Sequence, residues 1–274
     1  RAVEGGQARV GSAQDDLLYG TAGNDVLQGL AGNDLMMGGS GADAMTGGTG
    51  DDRYSVDDVG DQVIEEAGGG RGTVYAYVDY VLPAEVDDLQ LIGASAINAA
   101  GNDQANVLTG NALANHVRGG RGDDLLSGGE GYDVYYYDVD DGSDTIFEQT
   151  GENRSSEPRI WKVGGRLKFG AGITSADLTV VGQPQGFKLR LREGQSTEQT
   201  ILLTGAAVLD LEFADGTVWL GETLYTQQKY ELTDGPDLYV ATDTDEILRA
   251  GDGDDVVNAG AGHDRVEGGA GADT

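Results

Sequence analysis

Gly20–Ser55 reads GTAGNDVLQ, GLAGNDLMM, GGSGADAMT and GGTGDDRYS, four nonapeptides in succession. Each opens with glycine, carries glycine at the fourth place and aspartate at the sixth, and puts Leu27, Met36, Met45 or Tyr54 at the eighth. A fixed short period of this kind outranks any helix-or-strand reading of the same residues, because it defines a stacked repeat architecture. The glycines let the backbone turn tightly with its carbonyls facing inward. A short carboxylate follows at a constant offset. The three residues around the eighth place are enough for one brief strand whose apolar side chain points inward. Two units then make one turn of a flattened parallel coil, with loops stacked along two edges and aspartates of successive turns close together.

Working outward, the period extends back to GSAQDDLLY at Gly11–Tyr19, so a first block spans residues 11–55 after a tail at residues 1–10. Residues 56–100 lose the glycines but keep β character in TVYAYVDYVL (Thr73–Leu82) and VDDLQLIG (Val86–Gly93). Their length equals five nonads, so the next block returns in phase, which hints that this connector stacks on the coil. Block two, residues 101–136, is GNDQANVLT, GNALANHVR, GGRGDDLLS and GGEGYDVYY, with Asn106 and Asn115 where aspartate is expected. Residues 137–231 read as short strands joined by glycine turns, including a two-residue hairpin signal at Asp215-Gly216. A helical turn is expected in ETLYTQQK, and Trp161, Phe169, Phe187, Phe213 and Trp219 supply an ordinary core. Block three, residues 232–274, starts in another phase, with Thr244 and Glu246 off the pattern. It stops partway through a unit at GGAGADT, which reads as a piece of a larger polypeptide.

Charge sharpens the question. Forty-eight acids against seventeen bases give a net charge of −31, enough to keep the chain expanded unless something neutralises it. The acids sit at fixed repeat places, which favours cation binding over a merely solvated surface. Nucleic acid is excluded as a partner, because phosphate binding needs a basic footprint. The chain has no cysteine, hence no disulfide and no thiolate zinc site, and no apolar run long enough to span a membrane. Stacked carboxylates and carbonyls form an all-oxygen environment that suits Ca²⁺ over Zn²⁺ or Mg²⁺.

GGSGADAMT, GGTGDDRYS, GGRGDDLLS and GGEGYDVYY resemble the calcium-binding nonapeptides of the repeats-in-toxin (RTX) family, GGxGxDxUx, a repeat known to form Ca²⁺-binding parallel β structure. The resemblance implies an all-β chain of parallel β-roll blocks, with a β-rich connector and a β-rich capping domain. It implies sixth-place aspartates as metal ligands: Asp16, Asp25, Asp34, Asp43, Asp52, Asp124, Asp133, Asp237, Asp255, Asp264 and Asp273. It implies loop carbonyls too, beginning with the first glycine, at Gly20, Gly29, Gly38, Gly47, Gly119, Gly128 and Gly268. About eight Ca²⁺ ions are expected, lowering the net charge to about −15. FGAGITSADLTV (Phe169–Val180) and LEFADGTVW (Leu211–Trp219) resemble the segment that follows such arrays and caps an open roll. The family also implies export through a type I channel and a secreted or bacterial surface location, with a toxin, an adhesin or a hydrolase as the parent protein.

Rival readings are weaker. DVDDGSDTIFE (Asp138–Glu148) approaches an EF-hand, but its glycine falls one place early. HExxH and GxSxG are absent, and no cysteine or paired histidine serves a nucleophile, so no enzyme activity is expected. Arg121-Gly122-Asp123 spells RGD, which its place inside a good repeat already explains. Arg154, Arg159, Lys162, Arg166, Lys168, Lys188, Arg190 and Arg192 form the one basic cluster and the alternative function: recognition of an acidic polysaccharide or a host surface. Their competing role is to balance the neighbouring acidic rolls. His116 and His263 read as exposed bystanders.

Overall fold

The computed structural model describes residues 6–274 apart from 96, 149–151, 154–161, 184–185, 193, 195–197, 206–207, 222, 225–227, 232–234 and 241–246. Arg154, Arg159, Trp161, Thr244 and Glu246 lie outside the described residues, as does much of ETLYTQQK. The described residues are almost wholly short strands and turns.

The eighth-place side chains decide this. Leu27, Met36, Met45, Tyr54, Leu108, Val117, Leu126 and Tyr135 are all buried, flanked on each strand by outward neighbours. A three-residue strand can bury only that one side chain, so neighbouring turns must stack to make a continuous core. Strands accordingly pair in parallel with the strand two units on: Leu17↔Leu35, Leu35↔Arg53, Val26↔Ala44 and Val107↔Leu125. Odd and even units fall on opposite faces of the roll, with the apolar stack between them.

One face is a single fourteen-stranded sheet. It begins with Leu17–Tyr19, Leu35–Met37 and Arg53–Val56 and continues through Thr73–Ala76 and Asp88–Leu91 into Val107–Thr109, Leu125–Ser127 and Asp144–Glu148. Residues 56–100 therefore carry the sheet from one glycine-rich block to the next. Opposite it lie a four-stranded sheet, Ala8–Val10 to Gln62–Ile64, an eight-stranded sheet that opens with Tyr80–Val81 and, in the last block, the parallel pair Leu238–Val240 and Val256–Asn258. Ala8–Val10 pairs with Val26–Ala31, so part of the expected tail is a strand of the first turn.

The middle region joins both faces. Lys162–Phe169 pairs in parallel with Asp133–Tyr137, and Gln199–Gly205 pairs in parallel with Asp144–Glu148. Two antiparallel pairings bring Gly186–Leu191 and Leu178–Gln183 alongside. From there Gln228–Glu231, Ile247–Arg249 and Arg265–Glu267 finish the long sheet. The region thus stands between two rolls and covers strand edges on both sides, which exposed edges require. Its core holds Tyr137, Phe169, Phe213 and Trp219, with ring centroids 5.1 Å apart for Phe169–Phe213 and 5.2 Å for Phe213–Trp219. The Asp215-Gly216 turn closes a hairpin, but with three residues between Phe213 and Thr217 rather than two. Gly216 takes the positive φ of 86° that such a loop needs.

Candidate metal centre

The loop glycines have two different tasks. The second and fourth places turn with positive φ, as at Gly39 (87°) and Gly50 (130°). They also lie against the loop below: a Cβ on Gly39 would sit 2.2 Å from the Thr21 carbonyl oxygen, and one on Gly50 2.0 Å from that of Gly32. The first glycine, expected to serve the same turn, does not take a positive φ at Gly38, Gly47, Gly119 or Gly128. Its missing Cβ makes room for the carboxylate five residues on. On Gly38 that atom would lie 2.1 Å from Asp43 Oδ2, and on Gly119 2.1 Å from Asp124 Oδ2.

Around that space the sixth-place aspartates form a ladder. Each Oδ1 accepts the backbone N–H of the sixth residue two units earlier: Asp16 N to Asp34 at 2.7 Å, Asp25 to Asp43 at 2.7 Å, Asp34 to Asp52 at 2.7 Å, and Asn115 to Asp133 at 2.8 Å. Asp237 N to Asp255 and Asp255 N to Asp273 repeat it in the last block at 2.9 and 3.3 Å. The other oxygen is left over. Oδ2 of Asp34, Asp43, Asp52, Asp124, Asp133 and Asp255 is buried and accepts no hydrogen bond. Leaving a buried carboxylate oxygen unmatched is costly, so these six oxygens are the candidate cation ligands.

Carbonyls complete the setting. The position a Cβ would take on Gly29 lies 2.1 Å from Asp34 Oδ2 and 2.7 Å from the Gly47 oxygen; on Gly20 it lies 2.6 Å from Asp25 Oδ2 and 2.0 Å from the Gly38 oxygen; on Gly11 it lies 2.8 Å from Asp16 Oδ2 and 2.7 Å from the Gly29 oxygen. The fold therefore brings Asp16 beside Gly29, Asp25 beside Gly38 and Asp34 beside Gly47. The carbonyls of Gly119 and Gly128 meet Asn106 and Asn115 in the same way, at 2.2 Å from the Cβ positions of Gly101 and Gly110. Gly268 gives room to its own Asp273, and Asp264 is itself half-buried after an exposed loop at residues 261–263. Among the described residues, no three acidic, cysteine or histidine side chains gather by themselves to hold a metal. A cation here must draw on backbone oxygens as well, which fits a hard ion of flexible coordination such as Ca²⁺.

Burial shapes the titration. It raises Asp34, Asp43 and Asp52 above the usual carboxylate range, and pushes Asp133 up to about 6, Asp124 to about 7 and Asp144 to about 8. Asp25 is held low instead: burial raises it, but N–H groups of Gln7 and Thr21 outweigh that. A carboxylate raised above its unfolded value destabilises the metal-free fold increasingly as pH climbs from about 4 to about 8. Cations and protons thus compete for the same oxygens. Calcium affinity is expected to fall at least several-fold between pH 8 and pH 6, with protons released on binding. Calorimetry in buffers of different ionisation enthalpy measures both.

Several site residues were hidden in the sequence. Asp61 accepts from Asp43 N at 2.9 Å and Asp144 from Asp124 N at 3.0 Å, so both continue the ladder. Asp61 stands nine residues after Asp52, ahead of buried Val63, a signal that the missing glycines obscured. Asp144 lies in the EF-hand-like stretch, where two extra residues break the phase; it begins the strand Asp144–Glu148. A second ladder was missed entirely. Fifth-place Asp15, Asn33, Asp51, Asp123 and Asp254 accept the N–H of Asn33, Asp51, Arg71, Ser143 and Ala272 at 2.8–2.9 Å. The aspartate of the RGD tripeptide has this loop-to-loop role.

Asn106 and Asn115 do something different. Their Oδ1 atoms accept from Asn102 N and Asn111 N at 2.8 Å, and their amide nitrogens donate to loop carbonyls, Val86 and Asp87 for Asn106 and Ile97 for Asn115. Asn102 and Asn111 add donations to Pro83, Val86 and Gly93. Side-chain amides here tie the turn directly to carbonyls of the turn before it. Asn115→Asp is expected to convert this turn to the other type: it removes the donor, weakens folding in chelator and adds about one bound Ca²⁺. Counting ions by native mass spectrometry decides this.

The other candidates disperse. His116 stacks on Tyr136 and shares a 2.8 Å hydrogen bond with its hydroxyl. Arg166 and Lys168 lie on the eight-stranded sheet and pair with Glu212 at 2.6 and 3.2 Å, while Lys188 and Arg190 lie on the long sheet. The bases close in sequence therefore divide between two sheets.

The stacked turns and their carboxylate-and-carbonyl loops define a parallel β-roll made to hold hard cations. The family profile described as RTX calcium-binding nonapeptide repeat (4 copies) matches residues 10–45, 19–54, 31–62, 100–135 and 240–274. Over those residues the chain carries RTX repeats of the hemolysin type, repeats that bind calcium. A search of curated proteins gives no match. No helix among the described residues is long and apolar enough to cross a membrane.

Proposed function

We propose that calcium binding is the folding trigger of this chain, which belongs to a larger secreted bacterial protein and is exported unfolded by a type I route. The observation that carries the reading is the set of six buried, unpartnered oxygens on sixth-place aspartates among the described residues, on a chain of net charge −31. At low free Ca²⁺, repulsion and glycine entropy keep such a chain open. Millimolar calcium outside the cell binds only the folded form and draws folding forward by mass action.

The ligands are the sixth-place carboxylates with first-place carbonyls from the turn two units on. The role is structural and not catalytic. About eight ions are expected in the whole chain. Native mass spectrometry across a calcium titration tests this: ions should add as the charge-state distribution narrows to a compact form. A chain that takes up no calcium at millimolar concentration overturns the proposal.

A further inference from the structure

Twice in this chain a run of glycine-first units ends with the same exchange of residues. Tyr54 and Tyr135 occupy the eighth place, held elsewhere by Leu27, Met36, Met45, Leu108 or Leu126. Two units later, where register sets Thr46 against Ile64 and Leu126 against Ile146, the place of the next first glycine is taken by Glu65 or Glu148.

The two exchanges meet in space. Tyr135 OH accepts the Gly128 N–H at 2.7 Å and donates to Glu148 Oε2 at 2.8 Å; Tyr54 OH donates to Glu65 Oε1 at 2.6 Å. Each tyrosine thus anchors one glutamate oxygen and leaves the other free. Glu148 Oε1 and Asp133 Oδ2 are buried without a hydrogen-bond partner, and so are Glu65 Oε2 and Asp52 Oδ2. Glu148, Asp133 and Asp52 are each no more than 1% exposed. The aspartate and the tyrosine hydroxyl meet at one glycine in each case, and the hydroxyl brings the glutamate to them. A Cβ on Gly128 would lie 2.1 Å from Asp133 Oδ2; one on Gly47 would lie 2.2 Å from Asp52 Oδ2 and 2.1 Å from Tyr54 OH. Arg and Lys side chains take no part in either group of bonds.

We infer that Asp52 with Glu65, and Asp133 with Glu148, are two calcium sites of a second kind that close the runs of ladder sites. In the ladder, one carboxylate and neighbouring carbonyls face each ion. Here two carboxylates face one ion, so its charge is balanced on the spot and the site should fill at lower calcium than the ladder. The tyrosine hydroxyl positions the glutamate by a charge-assisted hydrogen bond. This inference rests on the calcium reading above and adds to it a ligand type that the nonapeptide pattern does not contain.

The test uses the full chain and its near-isosteric variants Glu65→Gln and Glu148→Gln, with ions counted by native mass spectrometry and terbium luminescence excited through tyrosine. Each variant should bind about one ion fewer, lose the earliest step of the titration and lose part of the tyrosine-sensitised emission. Tyr135→Phe keeps both carboxylates, so it should keep the ion count while losing sensitised emission, and it serves if a glutamine variant does not fold. Glutamine variants that keep the wild-type ion count and titration overturn the inference and leave the ladder reading standing. Sites that instead hold one shared proton, seen as an unchanged ion count with proton uptake lost in Glu148→Gln, overturn it as well. A wild-type chain without calcium binding overturns the proposed function itself, before any variant is made.

Discussion

In chelator the chain is expected to show little β circular dichroism and a large hydrodynamic radius, and to compact when calcium is restored but not with an equal concentration of magnesium. Folding without a cation would bury Asp34, Asp43, Asp52, Asp124, Asp133 and Asp255, each with an unmatched oxygen. Each unmatched group costs on the order of 1–3 kcal/mol, more when charged, against a net stability of about 5–15 kcal/mol for a whole domain. Several such costs together are as large as that whole margin. Each bound ion in turn contributes about 2.7 kcal/mol at a concentration a hundred times its dissociation constant. Because the ions share loops, the transition should be steep. Magnesium demands near-octahedral geometry and gives up water reluctantly, so loops of carbonyls and single carboxylates suit it poorly. An unfolded chain of this length has a radius of gyration of roughly 60 Å, against about 20 Å for a compact one. Small-angle scattering resolves that change easily. Equal radii in chelator and calcium would mean that the fold stands without the metal.

Replacing Asp34 or Asp43 by alanine should raise the calcium midpoint several-fold, and more than replacing Asp237. Asp34 and Asp43 are 1% exposed, each holds a backbone N–H of the turn below, and each keeps one oxygen unmatched. Alanine removes a ligand and a charge-assisted bond together, a loss of about 1.5–3 kcal/mol. Asp237 is only half-buried, within LTDGPDLYV, a unit whose first place is Leu232. In chelator the order should reverse, because the same substitution also removes a buried like charge from a crowded row. Calcium titrations followed by circular dichroism give the first comparison, and residual ellipticity in chelator gives the second. A larger effect at Asp237 would move the weight of binding to the last block.

The architecture was legible because one short period carries both its chemistry and its packing. The apolar eighth place predicted the buried stack, and the sixth-place aspartate predicted that carboxylates of successive turns lie close together, as Asp16, Asp34 and Asp52 do. What escaped was whatever depends on contacts between turns. Asp144 lay behind a two-residue insertion, and Asp61 lay in a unit whose first and fourth places are Val56 and Val59. Fifth-place Asp15 and Asn33 look like solvated loop residues in one dimension, and only stacking shows what they accept. The first glycine seemed to serve dihedral freedom, whereas the close approach of Asp43 to Gly38 shows that it serves space. The strands of residues 137–231 were visible singly. Their pairing was not, because Tyr136↔Lys168 and Ile146↔Leu203 span irregular distances with no period to follow.

The pairing of each strand with the one two units on gives the repeat a parity. Removing two nonapeptides from Gly20–Ser55 shortens the roll by a full turn and returns every later strand to its own sheet. Removing one sends every later strand to the opposite sheet, so the edge offered to residues 137–231 changes hands. A gene segment coding for this roll can therefore grow or shrink smoothly only in steps of two units. The nonapeptide is the unit of spelling, and its double is the unit of inheritance.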